Sequence, residues 1–217
     1  MNFCIVNESG LVPDEIKTLV LGATDHALRY APAWKFDVVT VTTGTPAATD
    51  IPCYITTRAR KTGANGYHNF EGGKPAIYVL PNTAYNRFGT WRKALIMKFT
   101  GKLILPEYKR EGTLTVLCHE IAEVLGDPLV KTVSTPDKNG HQWLVEIADP
   151  VVGFPYMKVI NGHNCIFPDI ALPSFYDVNG LAPYSIAKSP KAPFTIPDPA
   201  KGYAYWRDKL GALFKVS

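Results

Sequence analysis

A chain of 217 residues that is 46% hydrophobic and 19% charged carries enough apolar material for a full core, and one compact body is expected. A net charge of +4 is too small to mark a nucleic-acid binder, and the one brief basic cluster, "TTRARKTG" at 56–63, lacks interleaved aromatics, so nucleic acid is not an expected partner. No apolar run approaches the roughly 18 residues of a membrane span, and "MNFCIVNESG" lacks the basic and apolar regions of a signal peptide, so cytoplasmic synthesis is expected, with a virus particle assembled there as a further location.

In chain order, "NFCIVNE" (2–8) predicts a short strand. Pro13 and Asp14 then open a helix through Trp34, with apolar positions at Ile16, Leu19, Val20, Ala23 and Leu28. Strands are predicted at "FDVVTVTT" (36–43), "IPCYITTRA" (51–59) and, after a Gly-rich turn, "KPAIYVLPNT" (74–83). The segment "YNRFGTWRKALIMKFTG" (85–101) is read as partly helical. Further on, "QWLVEIADPVVG" (142–153) and "YMKVING" (156–162) are expected to pair as a hairpin. Beyond Phe167, prolines at 168, 173, 183, 190, 193, 197 and 199 forbid long helices and central strands. Residues 167–200 are therefore expected to form an ordered, irregular wrap, held by aromatics that need burial. Cys4, Cys53, Cys118 and Cys165 are isolated and are read as reduced, mostly buried thiols.

Chemistry concentrates in "TLTVLCHEIAEVLGDP" (113–128). At about 100° per residue, His119 and Glu123 stack one turn apart, with Glu120 and Asp127 within about a quarter turn, and the apolar residues take the opposite side. The stripe holds only acids and an imidazole. Its like-charge pairs, Glu120 with Glu123 and Glu123 with Asp127, each destabilise the helix by roughly 0.2–0.5 kcal/mol. A bound cation would reverse the sign of those terms, which makes a metal site the reading to test against a merely solvated acidic face.

His-Glu-x-x-His on a helix is the zinc-hydrolase signature, in which the Glu is general base toward a metal-bound water. Here His119-Glu120-x-x-Glu123-x-x-Gly126 replaces the second imidazole with a carboxylate. With "HEIAEVLGDP", "EIADP" and "FPDIALPSFYD", the chain resembles a metzincin-related, zincin-like group of metallopeptidase-type and virion proteins from tailed bacteriophages and bacteria. The resemblance covers residues 66–180 and implies His119 and Glu123 as metal ligands and Glu120 as general base. It also implies that the last strand before the helix rims the cleft, the place "GYHNFEGGKPAIYVL" (66–80) would occupy. The position where a metzincin has its third ligand is Leu129, which binds no metal.

Three acids are candidates to replace that ligand. Glu146 is the preferred one, by analogy with zinc sites that take a downstream Glu, with Asp149 and Asp127 in support. An extended segment would put Glu146 and Asp149 on opposite faces, whereas a turn would bring both toward one ion. Zn²⁺ is the expected cofactor, and a carboxylate-rich set also suits Ca²⁺, Mg²⁺ or Mn²⁺. His68, His141 and His163 read as loop or edge histidines, Tyr156 and Tyr176 as buried tyrosines with bonded hydroxyls, Met157 as a core filler and Cys118 as inert.

The fold class expected is α/β (α+β): a zincin-like twisted mixed sheet with an active-site helix and a Pro-rich C-terminal wrap. Its N-terminal unit (1–130) ends in that helix, and its C-terminal unit (131–217) carries the metal-site loop and the wrap. The function expected is metal-dependent hydrolysis of a peptide or protein substrate that pairs with an edge strand near 74–80. The alternative is a structural virion protein whose metal staples a catalytically degenerate fold and whose partners are other virion proteins.

Overall fold

The computed structural model of the chain describes residues 1–57, 65–81, 112–129, 131–208 and 211–216. The architecture is mixed α and β. Strands β1 (Asn2–Asn7), β2 (Thr40–Thr43), β3 (Ile51–Ile55), β4 (Gly66–Glu71) and β5 (Lys74–Val79) form one sheet in the order β2-β1-β3-β5-β4. The first three and β5 are parallel, and only β4 runs antiparallel. The apolar runs "FCIV" and "IPCYI" suit central parallel strands covered on both faces. The expected Gly-rich turn after β3 holds an unforeseen strand, β4, which returns to β5 through Gly72-Gly73. The sheet edge is therefore β4; β5, expected at the edge, lies one strand inside it, between β3 and β4.

Helix α1 (Pro13–Trp34) starts on Pro13, has Asp14 and Glu15 in its first turn, and uses the Glu15 carboxylate to accept the Val12 N–H at 2.9 Å. Its buried stripe runs through Ile16, Leu19 and Ala23 as the spacing predicts, then continues through His26, Ala27 and Tyr30. Leu28 falls off that stripe and is exposed. Helix α2 (Thr113–Gly126) lies against α1 and against β4 and β5.

The expected hairpin of 142–153 with 156–162 does not form. Instead β7 (Tyr156–Ile160) pairs with β8 (His163–Phe167) across Asn161-Gly162, both at positive φ, as a two-residue hairpin turn requires. The short β6 (Gln142–Trp143) pairs with β9 (Ala204–Arg207), which pairs with β10 (Leu213–Val216). Between β8 and β9 the chain is irregular apart from a 3₁₀ turn at Pro173–Tyr176 and an isolated bridge at Ala171. It is nevertheless well held, because the Asp169 carboxylate accepts Ala187 N–H at 2.7 Å and Ser189 Oγ–H at 2.8 Å. The core joins residues from every part of the fold, among them Phe3, Leu19, Leu117, Ile147 and Phe175. Cys4, Cys53, Cys118 and Cys165 are free and buried, and burial pushes the Cys118 thiol well above its ordinary range. No described helix is long and apolar enough to cross a membrane. The basic residues at 58–61 and the segment 85–101 lie outside the described residues.

One consequence of this core is pH-dependent. His26 is fully buried, gives Nε2 to the Pro168 carbonyl at 3.1 Å, and has no partner for Nδ1 among the described residues. Burial pulls its pKa down from 6.5 to about 4. The folded chain then holds His26 neutral while the unfolded chain takes up a proton below 6.5, so stability is full above pH 6.5 and falls as pH drops toward 4. The loss attributable to His26 is about 3 kcal/mol over that window. Urea denaturation at pH 7 and pH 4.5 should show a smaller acid loss in His26→Gln than in the wild type; equal losses would contradict the assignment.

Candidate metal centre

Helix α2 is buried on both sides. The apolar residues Leu114, Leu117, Ile121 and Val124 are covered as expected, but Glu120 and Glu123 on the polar stripe are also only 5% exposed. Covering these acids are β4 on one side and the segment that follows residue 142 on the other. A buried carboxylate without a counter-charge costs several kcal/mol. The described residues that line the cleft beside α2 include no Lys or Arg. Nor does α2 place an acid in its first turn or a base in its last.

Three ligand-type atoms meet at His119. Its Nε2 lies 2.9 Å from Glu123 Oε1 and 3.2 Å from Asp149 Oδ1, yet neither oxygen accepts a hydrogen bond among the described residues. With His119 protonated these contacts are ion pairs, and with it neutral the same three atoms are close enough together to ligate one ion. His119, Glu123 and Asp149 each offer one such atom within 4.8 Å of the others. The donor set, one imidazole nitrogen and two carboxylate oxygens, fits a divalent cation.

A turn brings Asp149 there. Residues Asp149–Val151 form a 3₁₀ turn that Pro150 initiates, and Tyr203 N–H clamps it by donating to the Asp149 carbonyl at 3.2 Å. Glu146 lies on the preceding extended segment, also in the cleft, with Oε2 buried and without a hydrogen-bond partner among the described residues. That segment is fixed on several sides: Leu144 N–H to Tyr205, Val145 N–H to Thr132 and the Tyr176 hydroxyl to the Glu146 carbonyl, at 2.8, 3.0 and 2.9 Å. Gly126 lets it come close, since a Cβ there would sit 2.8 Å from Ile147 Cγ2 and 3.1 Å from the Val145 carbonyl. Asp127, turned out of the helix before Pro128, does not reach the cluster. Its carboxylate accepts Lys131 N–H, Thr132 N–H and Thr132 Oγ–H at 2.9, 2.9 and 3.0 Å, and so holds the loop that supports Val145. Of the three acids, Asp149 rather than Glu146 lies nearest His119, and Asp127 acts from behind.

Glu120 turns to the other side of the cleft and meets His68 of β4, whose Nδ1 is 3.1 Å from Glu120 Oε2 and 3.4 Å from Glu123 Oε2. Gly66 makes this approach possible. A Cβ on it would fall 2.3 Å from Val116 Cγ1 and 3.3 Å from Glu120 Oε1. The alternation of Gly66 and His68 on one face of a strand was the available signal for His68, which read as a loop or edge histidine although the resemblance gave 66–80 the place of the cleft rim. Tyr203 is a second residue missed in the sequence; its ring lines the cleft, and nothing in "GYAYW" announces that role.

The electrostatics record the crowding of buried carboxylates. Burial, and next the Glu123 charge, push Glu146 up to about 9 and Asp149 up to about 7. Burial also raises Glu120. Burial opposes a charge on His119, but Glu123 and Asp149 outweigh it and hold the imidazole well above its ordinary range; His68, likewise opposed by burial, is raised by Glu120 and Glu123 to about 10. Glu123 resists its burial and stays well below the carboxylate range because His119 and His68 flank it. Burial and the Asp149 and Glu123 charges raise the Tyr203 hydroxyl, which keeps it a neutral donor.

The remaining candidates lie elsewhere. His141 stacks on Trp206 at 3.7 Å, His163 binds Asp14 at 3.1 Å, and Met157 is half-exposed on β7 rather than filling the core. The Tyr176 hydroxyl is bonded as expected, whereas the buried Tyr156 hydroxyl has no hydrogen-bond partner among the described residues. Compared with protein-family models, curated proteins and solved structures, the chain matches none of them.

Proposed function

We propose that this chain is a metal-dependent hydrolase of zincin type acting on peptide bonds, with Zn²⁺ as its ion. The observation that carries the reading is the convergence of His119 Nε2, Glu123 Oε1 and Asp149 Oδ1 at contact distance, in a cleft whose described lining includes no Lys or Arg. A parallel sheet with one antiparallel edge strand beside the His-Glu-x-x-Glu helix supports the zincin-like assignment. His119, Glu123 and Asp149 would hold the ion, Glu146 would lie next to it, and Asp127 would brace the loop behind. The ion would supply Lewis acidity toward a water and the scissile carbonyl.

The protein side chains do the rest. Glu120, buried and raised by that burial, accepts the proton of the attacking water and delivers it to the leaving amine. Tyr203 offers a neutral hydroxyl toward the developing oxyanion. Strand β4 is the outermost strand of the sheet among the described residues and borders the cleft, where an extended substrate adds as a further strand and presents one bond to Glu120.

The test is Glu120→Gln, which keeps shape and removes the base. A peptide pool digested by the wild type and read by mass spectrometry should show cleavage that the variant reduces at least roughly 100-fold, while at least one equivalent of metal is retained. A wild type that holds metal and cleaves nothing would overturn the hydrolase reading and leave the ion as a structural clamp.

A further inference from the structure

The cleft gathers four carboxylates and two imidazoles. Glu120, Glu123, Glu146 and Asp149 are each at most 7% exposed. With the imidazoles neutral and all four carboxylates ionised, as metal binding requires, the formal charge is −4, which two divalent cations balance and one does not. The geometry divides in the same way. Glu123 presents Oε1 to His119 and Oε2 to His68, so its two oxygens face two separate groups of donors. His68, Glu120 and Glu123 offer one atom each within 4.8 Å of one another, as His119, Glu123 and Asp149 do. An independent observation points the same way. Glu146 Oε2, on a side chain 7% exposed, has no hydrogen-bond partner among the described residues and lies in the cleft that His68, Glu120 and Glu123 line, where His68 is among the charges acting on it.

We infer that His68, Glu120 and Glu123 form a second divalent-cation site, joined to the first through Glu123 as a bridging carboxylate and completed by Glu146. It rests on the proposed hydrolase reading only through the shared Glu123. A mixed nitrogen and carboxylate set suits Zn²⁺ or Mn²⁺ rather than Ca²⁺. The second ion binds more weakly than the first, because Glu123 already shares its charge with the ion at His119. It also has a regulatory consequence. Glu120 is the proton acceptor of the proposed reaction, and a cation that holds it takes it out of that role, so filling the second site and hydrolysis compete.

Zn²⁺ titrated into the full chain, with bound metal counted by elemental analysis and heats by calorimetry, decides the matter. The wild type should take two equivalents, the second more weakly. His68→Ala and His68→Gln, each checked for folding by circular dichroism, should lose the second equivalent's affinity by more than the roughly 100-fold expected of a residue that merely orients a ligand, and keep the first. Saturation of the wild type at one equivalent, or two equivalents retained in both His68 variants, overturns the second site and leaves the first standing. A wild type that binds none overturns both. In the wild type, peptide cleavage should peak near one equivalent and decline as the second fills; a level rate while the second binds overturns the regulatory role.

Discussion

Glu123→Ala should lose its bound divalent metal and, with it, all response of its thermal stability to a chelator. Both oxygens of Glu123 face imidazoles, Oε1 at 2.9 Å from His119 and Oε2 at 3.4 Å from His68, so the substitution removes a donor that no neighbour replaces. An ion that binds only the folded chain stabilises it by about 2.7–4.1 kcal/mol at free concentrations of 100 to 1,000 times its dissociation constant. For a chain of this size, that corresponds to a fall in melting temperature of roughly 5–15 °C when the wild type is stripped of metal. The variant should melt at one temperature with or without chelator. Metal content equal to wild type, or an equal response to chelator, would remove Glu123 from the site.

Phe167→Ala should cost about 3–5 kcal/mol in urea denaturation, as truncation of a fully buried aromatic does. The Phe167 ring has no exposure and stacks on His26 at 5.6 Å and on Tyr156 at 5.4 Å, so it joins hairpin β7–β8 to α1. The cavity would also bring His26 nearer to water and let it accept a proton while folded. The acid loss of stability between pH 6.5 and 4 should therefore shrink in Phe167→Ala along with the absolute stability. A cost under about 1 kcal/mol would mean that the site collapses around the missing ring, contrary to the close packing described.

Several elements were legible in the sequence because each one carried its own signal. Helix α1 begins on Pro13 and ends at Trp34 as predicted, and β1, β3 and β5 stand where their apolar runs place them. The spacing of His119 and Glu123 put both on one face of α2, since helical period alone decides that. What failed depended on partners distant in sequence. Strand β4 is half-exposed, lacks a run of apolar residues and leads into Gly72-Gly73, so its local signal was weak; pairing with β5 makes it a strand. The partner of "YMKVING" was misassigned although Asn161-Gly162 marked the true turn. Glu146 was the preferred ligand, yet Asp149 lies closer to His119 because of a 3₁₀ turn after Ala148 that "VEIADP" does not announce. His68 reaches the site only because Gly66 admits β4 against Val116, a contact across 50 residues.

Helix α1 is tied to the wrap by two bonds that span most of the chain: His26 Nε2 to the Pro168 carbonyl and Trp34 Nε1 to the Ala171 carbonyl at 3.0 Å. The five-stranded sheet beside α1 comes from the first 79 residues, but hairpin β7–β8, which also packs on α1, and the Pro168 and Ala171 carbonyls emerge from the ribosome far later. At about 5–20 residues per second, the helix waits many seconds beside its sheet with a buried-type face uncovered. Nascent chains stopped short of Pro168 would thus be the sticky, chaperone-dependent species in the life of this protein, and commitment to the native state is set by the order of translation as well as by the final contacts.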